Sequence, residues 1–555
     1  MGLGIIALIV GGVVGYLEYS GVSVSEVAEL IAEGGENQLR EQMRPASSGP
    51  RVLVIALDGV GDDELRDAVA GGRAPNMARL LGASTGENGV YEHAYAVPGV
   101  LSVLPSTTLA AWSSVFTGRP AGQHGVPGNE WFAREEGRFY APAPVSITEA
   151  GDAVKVYAED LIGGALRAPT LYERANVRSH VSLSQIHHGA DILTTPDVEA
   201  FGALASALAE GITDEEEVTQ AAYEELDRTA VESLIGSLQK HGIPDLQVVY
   251  FPGVDLYTHV AEQPIDDQRN YLRDVVDDCV GLILAEYQAQ GFLEETYVVF
   301  VSDHGHTPVL DDDRHALGAE GEDEPTSLIQ QAGFRLRPLK IELAEEEQDY
   351  QATVAYQGAI AYVYLADRST CAAEGQRCDW KRAPRLQEDV IPVARAFAAA
   401  TATGAGVPAL QGTLDLIFAR EPRAPGQDAL PFQVWDGERL VPVGEYLSAN
   451  PRPDLLDLQA RLDSLAVGPY GHRAGDILLL AKSGPDRPIE ERFYFSGRYR
   501  SWHGSPSSQD SEIPLVVARP SSSGADLRDR ISAAVGDKPS QLDITDVLLS
   551  LLNPT

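Results

Sequence analysis

The chain has 555 residues, of which 44% are hydrophobic, enough to bury a large core in one elaborated domain or in several. Acidic residues outnumber lysine and arginine by 82 to 42, and the formal net charge is −40. A surface of this charge repels polyanions and excludes a DNA- or RNA-coating role, but it accepts a small phosphorylated substrate where metal cations reverse the local potential.

The first predicted element is a run of sixteen uncharged, mostly apolar residues from Gly2 to Leu17. The run is slightly shorter than the about 20 residues of a membrane-spanning helix, but it is long enough for the core of a signal sequence. A buried helix of a soluble protein is the alternative. Five glutamates precede Arg40, the first basic residue, and by the positive-inside rule this acidic flank faces away from the cytoplasm. We therefore expect a membrane-anchored or secreted protein that is extracytoplasmic, in the periplasm or at the cell surface.

The sequence predicts four regions. Residues 1–50 contain the apolar run, a charge-rich helix or stalk over residues 23–44, and a linker with proline at both ends. Residues 51–310 form the first part of the core, and residues 471–555 complete it. Residues 311–470 are rich in glycine, proline and acidic residues, which indicates an insertion or cap over the core.

The core shows the pattern of an α/β fold. Val52–Leu57, Leu246–Phe251 and Tyr297–Val301 are short, continuous apolar runs, as in buried parallel strands. Helical periodicity fills the spaces between them, notably over Glu215–Gln239 and Asp267–Gln290. This alternation predicts a largely parallel central sheet between helices, with the cap inserted.

Acidic and histidine side chains follow all three core strands. Asp58 follows the first strand, Asp255 and His259 follow the second, and Asp303-His304 follows the third. Ligands bind at the carboxyl ends of strands in open α/β sheets, so we expect these side chains to converge. A single Asp at such a place is often a turn or cap residue, but three equivalent ones indicate a metal site. A mixture of Asp and His without Cys suits zinc, with manganese as the alternative.

Thr107 and Thr108 lie where a helix is predicted to begin. The run Leu109–Phe116 has a helical pattern and ends at Gly118, with Pro120 behind it. Free N–H groups and the helix dipole favour an anion at such a start. A threonine there is commonly a helix cap, and a metal-activated nucleophile is the alternative.

Taken together, these motifs resemble the type I phosphodiesterase/nucleotide pyrophosphatase family of the alkaline phosphatase superfamily. The resemblance covers roughly residues 51–310 and 470–550, and seven positions that contact metals in that family are matched in order. The matching segments are Asp58-Gly59, Pro105-Ser-Thr-Thr108 with the helix that follows, His124-Gly125, Asn129, Asp255-x-x-x-His259, Ser302-Asp-His-Gly305 and His503-Gly504.

The resemblance implies an alkaline-phosphatase-like fold and two zinc ions. One ion would be held by Asp58, Thr108, Asp303 and His304, and the other by Asp255, His259 and His503. Thr108, rather than Thr107, would be the nucleophile and would form a phospho-threonine intermediate. Asn129 would bind a phosphoryl oxygen of a small phosphorylated substrate. The expected activity is therefore zinc-dependent hydrolysis of phosphoesters, most simply phosphodiesters.

Departures from the family keep other activities open. Leu109, Ala110 and Ala111 replace the aromatic residue, Pro and Asn that follow the nucleophile in nucleotide-cleaving members. The Lys-x-Arg pair of related monoesterases is also missing. A phosphomonoesterase or phosphonate hydrolase on the same site is the enzymatic alternative, and a non-catalytic metal-binding surface protein is a further one.

The remaining histidines and the cysteines allow three smaller predictions. His187, His188 and His306 lie near the motifs in sequence, and we interpret them as supporting the ligands or the fold, with substrate contact as the alternative. Cys371 and Cys378 enclose six residues and predict a disulfide rather than a metal pair, because no second Cys/His pair lies nearby. Cys279 is predicted to be buried. The sequence makes no prediction of the oligomeric state.

Overall fold

The computed structural model describes residues 35–147, 151–196, 220–318 and 325–553. The predicted membrane anchor or signal, residues 2–17, lies outside these ranges. Within them, no helix combines the length and the apolar character that crossing a membrane requires.

Eighteen strands are present in the described ranges. They are β1 (Glu36–Gln38), β2 (Arg51–Leu57), β3 (Ala94–Ala96), β4 (Trp131–Ala133), β5 (Arg138–Tyr140), β6 (Ser179–Ser182), β7 (Ile192–Thr194), β8 (Leu246–Phe251), β9 (Thr296–Ser302), β10 (Thr307–Pro308), β11 (Ala352–Gln357), β12 (Ile360–Leu365), β13 (Leu414–Ala419), β14 (Gln433–Trp435), β15 (Leu440–Pro442), β16 (Ile477–Ala481), β17 (Ser501–Trp502) and β18 (Leu515–Ala518).

The helices flank these strands. The α-helices are Asp62–Ala70, Pro75–Leu81, Thr108–Thr117, Ala121–His124, Gly151–Ala158, Leu161–Ala165, Leu171–Ala175, Gln220–His241, Gly253–Val260, Pro264–Tyr271, Asp277–Ala289, Pro325–Gln331, Ile391–Thr403, Val443–Ala449, Leu458–Ala466, Ser508–Ser511, Gly524–Ile531 and Ile544–Leu552. Short 3-10 turns are Leu293–Glu295, Glu345–Glu347, Arg368–Thr370, Pro408–Leu410, Gly471–Ala474, Ile489–Glu491 and Gln541–Asp543, and π-helical turns are Leu272–Val276 and Leu386–Val390.

The central sheet has eight strands in the order β1-β7-β6-β8-β2-β9-β18-β3. The five adjacent strands from β7 to β9 are parallel, and the strands outside them pair antiparallel. Both faces of β2 are buried: Val52 and Val54 pack into one hydrophobic core, and Leu53 and Ile55 into another. The predicted α/β fold, with a largely parallel sheet between helices, is confirmed.

A second sheet of six antiparallel strands has the order β11-β12-β16-β13-β14-β15. Five of its strands, β11 to β15, come from the region that the sequence marks as an insertion. β16 was assigned to the returning core, but it lies at the centre of this second sheet, between β12 and β13. An apolar run such as Ile477–Ala481 fits any buried strand, so the sequence alone does not decide which sheet it joins.

The N-terminal segment differs from its prediction. A helix or stalk was expected over residues 23–44, and residues 35–44 of it are described. Glu36–Gln38 forms the edge strand β1, which pairs antiparallel with β7. Arg44 is held beside the buried Asp191 by an ion pair of 3.1 Å. The described part of the segment is therefore docked on the core, through the pairing of β1 with β7 and the ion pair of Arg44 with Asp191.

The cysteine predictions are confirmed. Cys371 and Cys378 form a disulfide with a Cα–Cα distance of 4.7 Å. Cys279 is a free thiol buried in the helix Asp277–Ala289. The disulfide closes a loop that follows β12 in the second sheet, far in sequence from the strand-end carboxylates.

Candidate active site

The three strand-end motifs meet at one edge of the central sheet. β2 lies between β8 and β9 and is parallel to both, so Asp58, Asp255 and Asp303 emerge from neighbouring strand ends. Gly59 turns the chain sharply after β2, with a φ of +68°, and a Cβ built on it would lie 2.7 Å from both Asp255 Oδ1 and His306 Nε2. Only glycine therefore fits at this turn, beside the carboxylate of Asp255 and the ring of His306.

Asp58, Asp303 and His304 form a buried cluster of potential metal ligands. His304 Nε2 lies 3.5 Å from Asp58 Oδ1 and 3.2 Å from Asp303 Oδ2. The other oxygen of Asp303 accepts the N–H groups of Gly59 and His304, each at 3.0 Å. The hydroxyl of Tyr250 donates to Asp58 Oδ2. One oxygen of each carboxylate is thus fixed by the protein, while the other is aimed at the cluster.

Asp255 lies in two further clusters of potential ligands, one with His259 and His306 and one with His304 and His503. Asp255 and His259 are one turn apart in the helix Gly253–Val260, with His259 Nε2 3.4 Å from Asp255 Oδ2. His503 Nε2 is 3.8 Å from Asp255 Oδ1, and its ring stacks on that of His304 with centroids 3.6 Å apart. His306 is closer still, with Nε2 2.7 Å from Asp255 Oδ1.

Backbone carbonyls fix the tautomers of three of these histidines. The Nδ1 atoms of His259, His304 and His503 lie 2.9, 3.1 and 3.0 Å from carbonyl oxygens, which can only accept. The carbonyls belong, in that order, to Ser501, Gly305 and Ser106. Each Nδ1 therefore carries a proton, and in the neutral ring each Nε2 presents a lone pair, the arrangement typical of metal-binding histidines.

The charges of the site fit divalent cations. Asp58 Oδ1 and Asp303 Oδ2 are buried and have no hydrogen-bond partner among the described residues. Burial, with the neighbouring carboxylates of Asp303 and Asp255, raises the pKa of Asp58 well above its ordinary value. Burial also lowers the pKa of His306 to about 4. A buried group of three carboxylates and neutral imidazoles needs positive charge from elsewhere, and bound metal ions supply it.

Thr108 begins the helix Thr108–Thr117, as predicted, and the helix ends at the left-handed Gly118. Its side chain is buried, and Oγ1 lies 3.4 Å from His304 Nε2, beside the Asp58 cluster. Thr107 occupies the cap position, but it makes no side-chain capping hydrogen bond, and its buried Oγ1 has no partner among the described residues. The structure therefore places Thr108, and not Thr107, in contact with a potential ligand.

Asn129 lies beside the start of the same helix. Its Oδ1 accepts the backbone N–H of Leu109 at 3.1 Å, which leaves both N–H groups of its amide directed elsewhere. Its own backbone N–H donates to Gln357 Oε1 at 2.7 Å. Gln357 ends β11 of the second sheet, and the next turn contacts His503, whose carbonyl accepts the Ala359 N–H at 3.0 Å. The second sheet thus supports the site on two sides.

The other predicted histidines lie apart from these clusters. The ring of His187 is buried and bonds through Nδ1 to the Ser184 carbonyl at 3.1 Å. His188 Nδ1 pairs with Asp160 at 2.5 Å. Neither residue belongs to a candidate metal group in the described ranges, so their contacts fit the predicted role in supporting the fold.

Three residues that contact the site were not predicted to do so from the sequence, or were predicted only in a supporting role. His306 was interpreted as a supporting residue, although its place two residues after His304 could have marked it. Tyr250 lies within the mostly apolar run of β8 and carries no sequence signal. Gln357 comes from the inserted sheet, more than two hundred residues after Asn129, and only the tertiary structure brings the two together.

The fold and the paired Asp/His clusters define a metal-dependent hydrolase of alkaline-phosphatase-like architecture. The sequence model of the type I phosphodiesterase/nucleotide pyrophosphatase family matches residues 52–398, more than half of the chain. The protein belongs to this family and is a hydrolase that acts on phosphoesters. The resemblance drawn from the motifs is confirmed.

Two solved structures are similar to the chain at low sequence identity. Murine ectonucleotide pyrophosphatase/phosphodiesterase 5, solved as an inactive variant in complex with AMP, is 14% identical, with a TM-score of 0.49 over 91% of this chain and 96% of that one. Phosphonoacetate hydrolase from Sinorhizobium meliloti, in complex with phosphonoacetate, is 16% identical, with a TM-score of 0.46 over 93% and 100%. No curated protein sequence matches the chain.

Proposed function

We propose that the protein is a zinc-dependent phosphodiesterase that works through a phospho-threonine on Thr108. One observation carries the proposal: Thr108 Oγ1 lies at the start of a buried helix and 3.4 Å from His304 Nε2, beside two carboxylate oxygens that no described residue satisfies. A threonine that only capped the helix would have no reason to face such a cluster.

Two groups of residues would hold the metal ions. Asp58, Thr108, Asp303 and His304 would bind one ion. Asp255, His259 and His503 would bind the other. When bound, two such ions act as Lewis acids that lower the pKa of coordinated hydroxyl groups and stabilise charge on phosphoryl oxygens. The donors are oxygen and imidazole nitrogen without sulfur, which suits zinc and also accepts manganese.

The residues of the chain would perform an in-line displacement. Oγ1 of Thr108 would bond to phosphorus while the bond from phosphorus to the leaving oxygen breaks, and water would then hydrolyse the phospho-threonine. The Asn129 amide donates from Nδ2, because its Oδ1 is taken by Leu109 N–H. That donor and the positive end of the helix would stabilise the charge that develops on the phosphoryl oxygens.

The charge of the site favours a diester over a monoester. No lysine or arginine in the described part of the chain forms an ion pair with Asp58, Asp255 or Asp303, whose ionic partners are histidines. Two divalent cations with three carboxylates leave one net positive charge, which balances a diester monoanion better than a monoester dianion. The alternatives that a test must distinguish from a phosphodiesterase are a monoesterase and a phosphonate hydrolase on the same site.

The test compares bis-p-nitrophenyl phosphate with p-nitrophenyl phosphate, using zinc-loaded protein with and without a chelator. We expect turnover of the diester to exceed that of the monoester and to vanish with chelator. A preference for the monoester would contradict the diester assignment. No turnover of either ester would refute the catalytic proposal and favour the non-catalytic alternative.

We also propose an extracytoplasmic location, with residues 2–17 as a membrane anchor or uncleaved signal. The disulfide Cys371–Cys378 supports the location, because such bonds persist mainly in oxidising compartments. Fusing a reporter that is active only outside the cytoplasm to the C-terminus tests the proposal, and an inactive reporter in cells that contain the full-length fusion would contradict it.

A further inference from the structure

His306 is a fourth histidine at the metal clusters, which neither the motifs nor the proposed ligand sets use. Its side chain is buried, and Nε2 lies 2.7 Å from Asp255 Oδ1. Its ring centroid is 4.7 Å from that of His259 and 5.3 Å from that of His503. The potential ligand atoms of Asp255, His259 and His306 all lie within 4.8 Å of one another.

A hydrogen-bond chain fixes the tautomer of His306. The hydroxyl of Ser501 donates its single proton to the Thr258 carbonyl at 2.7 Å. His306 Nδ1 lies 3.0 Å from the same hydroxyl oxygen, so Nδ1 must carry a proton and donate it. In the neutral ring, Nε2 then presents a lone pair to the carboxylate of Asp255. Two acceptors 2.7 Å apart repel each other unless a cation or a proton lies between them.

The fold holds His306 in this place from both sides. The neighbouring strand β10 pairs with β17, which aligns Thr307 with Trp502, the residue before His503. Thr307 Oγ1 also donates to the buried Asp510 at 2.5 Å. His306 therefore directly precedes β10 and His503 directly follows β17, so the strand pair holds both residues beside Asp255, a rigid arrangement of the kind that metal ligands need.

We propose that His306 is a metal ligand, completing a four-residue donor set with Asp255, His259 and His503. This inference rests on the proposed metal-dependent function and adds a residue to one of its two sites. Three imidazoles and one carboxylate favour zinc or cobalt over magnesium or manganese, because nitrogen donors prefer the later transition metals. We expect the ion at this site to be the tighter bound of the two.

The first test measures zinc affinity directly, without turnover. Metal-free full-length protein is titrated with zinc in competition with a chromophoric chelator, for the wild type and for His306→Ala and His306→Gln. Loss of a supporting residue typically weakens metal affinity by about 10–100-fold, so a lost ligand should weaken one of the two sites by more than about 100-fold. His315→Ala is the matched control, because His315 is buried and, among the described residues, its ring nitrogens bond to Asp312 and to the Glu490 carbonyl instead of to the metal clusters.

Glutamine separates a ligand from a residue that only donates to Asp255. Its amide can still donate a hydrogen bond to the carboxylate, but it is a poor zinc ligand. We expect both variants to lose affinity at one site. Wild-type affinity in His306→Gln would overturn the proposal, and wild-type affinity in both variants would show no role in metal binding. Circular dichroism verifies that both variants fold. If His306→Ala destabilises the core, His306→Gln alone decides the question.

A second measurement reports the coordination of the ion. The visible absorption bands of the cobalt-substituted protein depend on the number and type of ligands, and we expect both His306 variants to change them and His315→Ala to leave them unchanged. Unchanged bands in His306→Gln would overturn the proposal. Absence of ester turnover by the wild type would refute the proposed function, yet these titrations and spectra would still decide the role of His306.

Discussion

Asn129 Oδ1 accepts the backbone N–H of Leu109 at 3.1 Å, and this bond joins the proposed phosphate-binding amide to the helix that carries the nucleophile. The amide orientation is thereby fixed, with its donors left free. Asn129→Asp keeps the acceptor for Leu109 but replaces the donors with a charged oxygen. We expect both Asn129→Asp and Asn129→Ala to lower kcat by about 100-fold or more, as loss of an oxyanion donor does. Diester kinetics and metal analysis measure this, and full activity in Asn129→Asp would contradict the assigned role.

Thr108→Ala should abolish ester hydrolysis and leave about two metal ions per chain. The loss of activity should reach about 1,000-fold or more, because no other residue of the site can take over the role of the missing nucleophile. Thr107→Ala is the matched control: its hydroxyl has no hydrogen-bond partner among the described residues, so we expect near wild-type turnover. Initial rates and metal content decide the matter. Activity that survives in Thr108→Ala and disappears in Thr107→Ala would reverse the assignment.

Removal of the metals should destabilise the protein. Asp58, Asp255 and Asp303 are buried together, and without cations their charges repel one another. A ligand at 100 times its Kd stabilises the folded state by about 2.7 kcal/mol for each site. We expect chelator to lower Tm and added zinc to restore it, with zinc-saturated chelator as the control. The same Tm with and without metal would contradict a cluster that needs cations.

His503→Ala should bind about one ion fewer than the wild type. The Nε2 of His503 lies 3.8 Å from Asp255 Oδ1, and its other nitrogen is held by the Ser106 carbonyl. Metal analysis after dialysis measures the stoichiometry, with His124→Ala as the control, because His124 is buried but bonds to Ser114 instead. Two ions retained in His503→Ala would count against its place in the ligand set.

Glu135 should make stability depend on pH in the acid range. Burial opposes its ionisation, but the hydrogen bond with His472 and the charge of Arg473 outweigh burial and lower the pKa of Glu135 to about 2. The folded pKa is below the ordinary value of 4.5, so the stabilisation is full above about pH 4.5 and is lost as pH falls towards about 2. We expect Glu135→Gln to cost about 2 kcal/mol at neutral pH.

Thermal unfolding across this pH range tests the prediction. The Tm difference between Glu135→Gln and the wild type should shrink as the pH falls from 4.5. Glu438→Gln, at an exposed glutamate, is the control and should change Tm little at any pH. A difference between Glu135→Gln and the wild type that is constant with pH would mean that the carboxylate does not supply the stabilisation.

The sequence by itself determined the parts of the site that local patterns encode. Continuous apolar runs marked the parallel strands, and Asp58, Asp255 and Asp303 follow these runs in the sequence. Because ligands bind at the carboxyl ends of parallel strands, the three residues were predicted to converge. The helix after Thr108 was marked by its helical pattern and by Gly118 at its end. These signals act within a few residues, so the chain needs no tertiary structure to show them.

Only the tertiary structure decided which distant residues share the site. The ring of His306 reaches Asp255 because β10 pairs with β17, and Gln357 reaches Asn129 from the inserted sheet. The run Ile477–Ala481 joined the second sheet rather than the central one. Such pairings depend on strand order and on which buried partners remain available, and a hydrophobic run does not specify them. The sequence therefore determined the chemistry of the site. The fold decided which distant residue supports Asn129, namely Gln357, and placed the fourth histidine, His306, beside Asp255.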